Sequence, residues 1–239
     1  MKPFDTYFGG KSGSGTYQTI INQIPPHRVY IEPFAGNAGV FRNKKAADLS
    51  ILVDADVSVV DAWRKVGMAE LSMARLDRAN LGPQIIYGKA LDLLSTEKEW
   101  FDRKDSFIYL DPPYLHSTRA SHNRYDHELT DQEHKQLLMI IDGYHHARIA
   151  VSTYPNELYA SMLSDWRRVQ YSSTTRGGAV TEWLFCNYPE PTELHDYSYV
   201  GENYRERERI AKKVRRHVAK FRQLPELERK AIISALLQE

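Results

Sequence analysis

Four short apolar runs, rich in β-branched residues and each ending in turn residues, constrain this chain more than any other feature. "RVYIEPF" (28–34), "SILVDAD" (50–56), "DSFIYLDPP" (105–113) and "ARIAVST" (147–153) are too short for helices and read as buried strands. Longer segments with helical spacing alternate with them: "TYQTIINQI" (16–24), "DVSVVDAWRKVGMAELSMARL" (56–76) and "TDQEHKQLLMIIDGY" (130–144). In the last, Leu137, Leu138 and Ile141 share a face, and Thr130 with Glu133 forms a capping box. A strand–helix alternation of this kind implies a parallel sheet covered on both faces.

The end of this region follows a different pattern. "WRRVQYSSTT" and "AVTEWLFCNY", separated by "RGG", read as an antiparallel hairpin closing the sheet edge. The expected fold is α/β, a doubly wound Rossmann-like sheet of about five parallel strands with that hairpin at its end. With 239 residues and 42% apolar content, the chain can bury such a core as one domain with an appendage. The sheet domain is expected over 1–190 and a polar linker over 191–203, followed by a tail over 204–239. In the tail, Ile210, Val214, Val218 and Phe221 line one side of a basic helix. "LPELERKAIISALL" adds a second helix with Pro225 in its first turn, so the tail reads as an αα-hairpin.

Charge is unevenly spread. The formal net charge is +1, yet residues 205–222 hold nine Lys/Arg against two Glu, leaving about −6 for the rest. Such asymmetry points to a polyanionic partner for the tail. The single cysteine, Cys186, excludes an internal disulfide framework and fits a reducing compartment. With no signal-peptide pattern and no membrane-spanning run, a cytoplasmic protein is the expectation.

Two glycine-rich stretches bear on chemistry. "YFGGKSGSG" (7–15) resembles half of a phosphate-binding loop, but the first glycine that loop requires falls on Asp5, and no strand precedes it. "EPFAGNAGV" (32–40) follows the first strand, where a small-residue turn lets backbone approach a ligand. Asp54 closes the second strand, where such sheets often set an acid against a ribose hydroxyl. An ordinary turn and a solvated aspartate would look the same.

"FIYLDPPYLHS" (107–117) decides between these readings. Asp111 follows an apolar strand, so its carboxylate sits above the crevice at the carboxyl end of the sheet. Pro112 and Pro113 fix two φ angles, which stiffens Asp111 and the Pro112 carbonyl into a pair of acceptors beside the flat face of Tyr114. Two acceptors suit the exocyclic amine of a nucleobase, a weak nucleophile whose two hydrogens they would hold, and no metal is required.

The set "YFGGK", "EPFAGNAGVF", "LVDAD", "YLDPPY" and "TEWLFCNY", in this order over about residues 5–189, resembles the Dam-like, D12-class DNA adenine-N6 methyltransferases. The resemblance implies a class I methyltransferase sheet and S-adenosylmethionine as methyl donor. It implies that Tyr7, Lys11, Glu32, Pro33, Phe34, Gly36, Asp54 and Asp111 contact the cofactor. Asp111, Pro112, Pro113 and Tyr114 would form the catalytic turn, and the target base would be flipped out of DNA. It also implies a loop over the substrate at 118–130, with Arg119, Arg124 and Tyr125 toward nucleic acid.

The chain departs from the family at two places. Asp54 and Asp111 are only 57 residues apart, which leaves little room for a target-recognition domain, so relaxed or very short sequence specificity is expected. Lys89 and Ala90 stand where an acidic or polar pair is often found near the cofactor adenine. The tail cations, among them Lys212, Lys213, Arg215 and Arg216, are expected either to contact phosphates or to be a solvated face whose apolar stripe packs on the core or a second subunit. His116, His122, His127 and His134 lack metal-ligand spacing and read as surface or loop histidines. RNA adenine and cytosine N4 offer a similar amine, and a catalytically silent nucleic-acid-binding protein of the same fold remains an alternative.

Overall fold

The computed structural model describes residues 3, 11, 13, 15–71, 82–115, 128–175 and 178–238. In chain order the elements are α1 (Thr16–Ile21), β1 (Val29–Glu32), α2 (Gly39–Asn43), β2 (Leu49–Asp54), α3 (Val57–Lys65), β3 (Ala69–Leu71), β4 (Gly82–Tyr87), α4 (Ala90–Thr96), α5 (Lys98–Phe101), β5 (Ser106–Leu110), α6 (Asp131–Asp142), β6 (Arg148–Thr153), α7 (Glu157–Met162), β7 (Arg167–Thr175), β8 (Gly178–Cys186), α8 (Tyr204–Arg222) and α9 (Glu226–Leu236). The chain divides into two units between Asp196 and Tyr197.

The first unit is built on one eight-stranded sheet of order β3-β4-β2-β1-β5-β6-β8-β7. Strands β1 to β6 pair in parallel, and β8 runs antiparallel to both β6 and β7. The hairpin therefore does more than close an edge: β8 turns back into the sheet between β6 and the edge strand β7. Order reverses at β1, whose neighbours are β2 on one side and β5 on the other. In doubly wound sheets the crevice beyond such a reversal, at the carboxyl ends of the strands, is where ligands bind.

Burial follows from the sequence pattern. All of β1 and β5 is buried, as expected for central strands covered on both faces. Ile31, Ile51, Ile108, Leu110, Ile149 and Val151 form the middle of a core that Leu137, Leu138 and Ile141 of α6 cover. Thr130 caps α6 through the expected box: its side chain accepts from the Glu133 backbone while Glu133 accepts from the Thr130 backbone at 2.8 Å. Thr130→Ala should cost about 1 kcal/mol of stability, seen as a lower denaturant midpoint at unchanged slope.

Several expectations are corrected. The helix expected over 56–76 ends at Lys65, because Gly67 takes a left-handed φ of 90° and the chain re-enters the sheet as β3 at the edge. His134, expected on the surface or in a loop, is buried on the inner face of α6, its Nδ1 2.8 Å from the Tyr159 hydroxyl. His116, His122 and His127 lie outside the described residues. Pro225 stands one place earlier than expected, at the N-cap of α9.

His195 and Asp196, in the stretch expected as linker, belong to the sheet unit. The His195 ring stacks on His27 with centroids 3.8 Å apart, and Asp196 accepts from the Lys45 backbone at 2.7 Å. The second unit holds α8 and α9, neither of which contains a buried residue. Asn203 caps α8 through the Glu206 backbone. Among the described residues no helix is long and apolar enough to cross a membrane.

Candidate active site at the carboxyl end of the sheet

Three strand ends bring the expected residues to one crevice. After β1, Pro33, Ala35 and Gly36 are buried and Phe34 packs against the core. Gly36 has φ 44° and Ala38 φ 42°, so the turn closes in a left-handed conformation that spares it bulky side chains. Asp54 ends β2 and ties two turns together: one carboxylate oxygen accepts from the Gly36 backbone at 2.8 Å and the other from Asp56 at 2.9 Å. The Gly36 carbonyl accepts in turn from the fully buried Trp63 indole at 2.9 Å. Glu32 is engaged within the protein. It is 2% exposed, its carboxyl accepts from the Tyr30 hydroxyl at 2.7 Å, and burial pushes it up to about 8, so it is largely neutral near pH 7.

Asp111 follows β5 directly, and Pro112 and Pro113 carry the chain out to Tyr114. The Lys11 ammonium lies 2.8 Å from Asp111 Oδ1, 3.4 Å from Glu182 Oε2 and 2.5 Å from the Tyr114 oxygen. Lys11 is thus held by carboxylates. Burial pushes the Asp111 carboxyl up, Lys11 opposes that, and Glu182 adds to it. The Asp111 side chain keeps 15% exposure, enough for a ligand to reach it. Among the described residues, neither Asp111 Oδ2 nor the Pro112 carbonyl receives a hydrogen bond.

Glu182 is the participant that sequence reading missed. It sits on β8 opposite Tyr171 of β7, 3% exposed. It accepts from Tyr114 at 2.6 Å, from Tyr171 at 2.8 Å and from the Ser173 hydroxyl. Burial alone would raise its carboxyl, but Lys11 and the three hydroxyls outweigh it and hold it below the usual carboxylate range. The available signal was a lone acid in the apolar half of a strand, "TEWLFC". Tyr154, just after β6, was also missed; its ring meets Tyr114 edge-on with centroids 4.4 Å apart.

Of the other expected residues, Tyr7, Arg119, Arg124 and Tyr125 lie outside the described residues. Lys89 caps α4 by its backbone and Ala90 is buried behind it, beside the Gly88 amide that donates to the Asp54 carbonyl at 3.0 Å. Lys212, Lys213, Arg215 and Arg216 are exposed on α8. Among the described residues no group of three or more His, Cys, Asp or Glu is placed to hold a metal ion.

An acid after the central strand, a glycine turn at the sheet reversal and an acid ending the next strand stand where doubly wound sheets bind nucleotide-type ligands. A family model described as D12 class N6 adenine-specific DNA methyltransferase matches residues 92–175, from α4 through the Asp-Pro-Pro-Tyr turn to the end of β7. Over that segment, about a third of the chain, the sequence is similar to this family. No match was found among curated protein sequences.

Solved structures to which the chain is similar include the magnesium protoporphyrin IX methyltransferase of Synechocystis with bound SAM, at 12% identity, covering 73% of this chain and 76% of that one with a TM-score of 0.43. TrmK of M. capricolum in complex with S-adenosyl-homocysteine is 8% identical, covers 92% of each chain and has a TM-score of 0.41. A precorrin 8w decarboxylase of Methanobacterium thermoautotrophicum is 12% identical, covers 72% of this chain and 87% of that one, and has a TM-score of 0.39. None of these likenesses bears on substrate.

Proposed function

We propose that the protein transfers the methyl group of S-adenosylmethionine to the N6 amine of adenine in DNA, with relaxed or short sequence specificity. The observation that carries the reading is the fixed Asp111 carboxylate, anchored through Oδ1 by Lys11 at 2.8 Å with Tyr114 beside it. Its second oxygen and the stiff Pro112 carbonyl are left to hold the two amine hydrogens. That grip draws the nitrogen out of conjugation and aims its lone pair. Bound S-adenosylmethionine supplies an electrophilic methyl group. The residues suit it: the left-handed turn at Gly36 keeps backbone close and uncluttered, and Asp54 fixes that turn through the Gly36 amide. Tyr114, which is partly exposed, is the aromatic side chain that would stack on an unstacked base, a contact worth about 1–3 kcal/mol.

The acceptor is tested by incubating the protein with methyl-labelled cofactor and DNA or RNA of random sequence, then identifying labelled nucleosides. N6-methyladenine in DNA, spread over many sequence contexts, supports the reading. Label confined to RNA or cytosine N4 moves it to the alternative acceptor, one four- to six-base site removes relaxed specificity, and no label leaves a binding protein of this fold.

The tail is read as a nonspecific phosphate-binding element. Changing Lys212, Lys213, Arg215 and Arg216 to Gln in the full chain should weaken DNA binding and flatten its salt dependence, by about 0.9 in log–log slope for each phosphate no longer neutralised. Unchanged affinity and slope would assign the helix to packing instead.

A further inference from the structure

Glu182 belongs to no part of the turn that grips the amine, yet it is the most heavily hydrogen-bonded carboxylate near it. Its Oε2 receives Tyr114 at 2.6 Å and Tyr171 at 2.8 Å, and Oε1 receives Ser173. Such a group is costly to bury unless its bonds are satisfied, and β7 supplies two of them, from Tyr171 and Ser173. The Tyr114 hydroxyl has one proton and two acceptors, and its shorter approach is to Glu182, not to Asp111 at 3.0 Å. Lys11 bridges the same two acids.

We infer that Glu182 is a positioning residue: it accepts the Tyr114 hydroxyl's hydrogen bond and shares the Lys11 ammonium with Asp111, and so sets both the ring's orientation and the charge available to Asp111. The inference rests on the methyl-transfer reading above. Were Glu182 absent, Tyr114 would turn its proton to Asp111 and Lys11 would close on the same carboxylate. Asp111 would then be over-anchored, a weaker acceptor for an incoming amine.

Among the described residues, the groups facing Asp111 are the Lys11 ammonium, the Glu182 and Glu32 carboxyls, and the phenols of Tyr30, Tyr109, Tyr114, Tyr159 and Tyr171. Burial raises every one of these phenols, so they stay neutral through the range where carboxyls titrate. Glu32 is itself raised to about 8 and carries little charge there. Among the described residues, Glu182 and Lys11 are therefore the partners that vary the Asp111 charge, and their effects oppose each other.

The test uses apo-protein labelled with carbon-13 at aspartate and glutamate carboxyls, with Asp111 assigned by its loss in Asp111→Asn and Glu182 by its loss in Glu182→Gln. In wild type each of the two resonances should titrate in two steps, since a proton on either acid changes the other. In Glu182→Gln the Asp111 midpoint should fall by about 1 pH unit or more, and the acid limb of kcat/KM should fall with it. Glu182→Asp, which keeps the charge, should restore the limb. Single-step titration of Asp111 in wild type, or an unmoved midpoint in Glu182→Gln, overturns the role of Glu182. If Glu182→Gln does not fold, the wild-type titration still decides. Absence of methyl transfer by wild type would instead refute the underlying reading and leave the titration standing.

Discussion

Asp111→Ala should lower the rate of methyl transfer at saturating substrates by about 1000-fold or more, the scale of removing a preorganised polar contact to a reacting group together with its orientation. The substitution deletes the only side chain of the Asp-Pro-Pro-Tyr turn that both faces the crevice and carries charge. The strand itself should survive, because the burial of Phe107, Ile108, Tyr109 and Leu110 does not depend on Asp111. DNA binding should change by less than the rate does, since phosphate binding is proposed for the tail. The measurement is single-turnover transfer beside a binding titration on the same protein. Equal losses in both would mean that Asp111 serves binding and not the reacting amine.

Lys11→Met should produce the second largest effect, a fall of about 10- to 100-fold near pH 7, with the acid limb of the pH profile moving to higher pH. The sign follows from the charges. Burial and Glu182 both push the Asp111 carboxyl up, and Lys11 is the cation that opposes them. Without Lys11, two acids that share a tyrosine hydroxyl face each other in a buried pocket. One of them then takes a proton at a pH where both were ionised. A protonated Asp111 is a weaker acceptor for the amine hydrogen than the carboxylate, so activity should recover as pH rises. A fall with no movement of the limb would assign Lys11 to cofactor binding alone. These two outcomes separate a charge-setting lysine from the cofactor-orienting lysine that family resemblance implies.

Much of this arrangement is legible in the sequence. The strands at 28–34, 50–56, 105–113 and 147–153 are marked by uninterrupted apolar, β-branched residues, because strands covered on both faces need no polar alternation. The hairpin is marked by its central "RGG", and the start of α6 by its capping box. What escapes is decided by tertiary structure. The segment 57–71 keeps helical spacing throughout, yet Gly67 breaks it and β4 recruits Ala69–Leu71 to the sheet edge. The return of β8 between β6 and β7 cannot be read from a hairpin pattern, which specifies the pair and not its place in the sheet. Helix α7 is only six residues long and is announced mainly by its Asn156 cap.

The site divides the same way. Asp111 and Tyr114 are legible because two prolines and a preceding strand fix where they stand. Glu182 is not, because its meaning comes from Lys11, 171 residues earlier in the chain, and from Tyr171 and Ser173 on the neighbouring strand. Lys11 stands out for its glycine-rich surroundings, whereas its placement is explained by two carboxylates that those glycines do not reveal.

The central claim is that the Asp111 turn makes an exocyclic amine, and not a ring atom, the nucleophile. Transfer of a carbon-13 methyl group to an oligodeoxynucleotide, followed by NMR of the released nucleoside, reads the atom that receives it. The account predicts a methyl carbon bonded to the exocyclic nitrogen of adenine; a methyl on a ring carbon or ring nitrogen would contradict it.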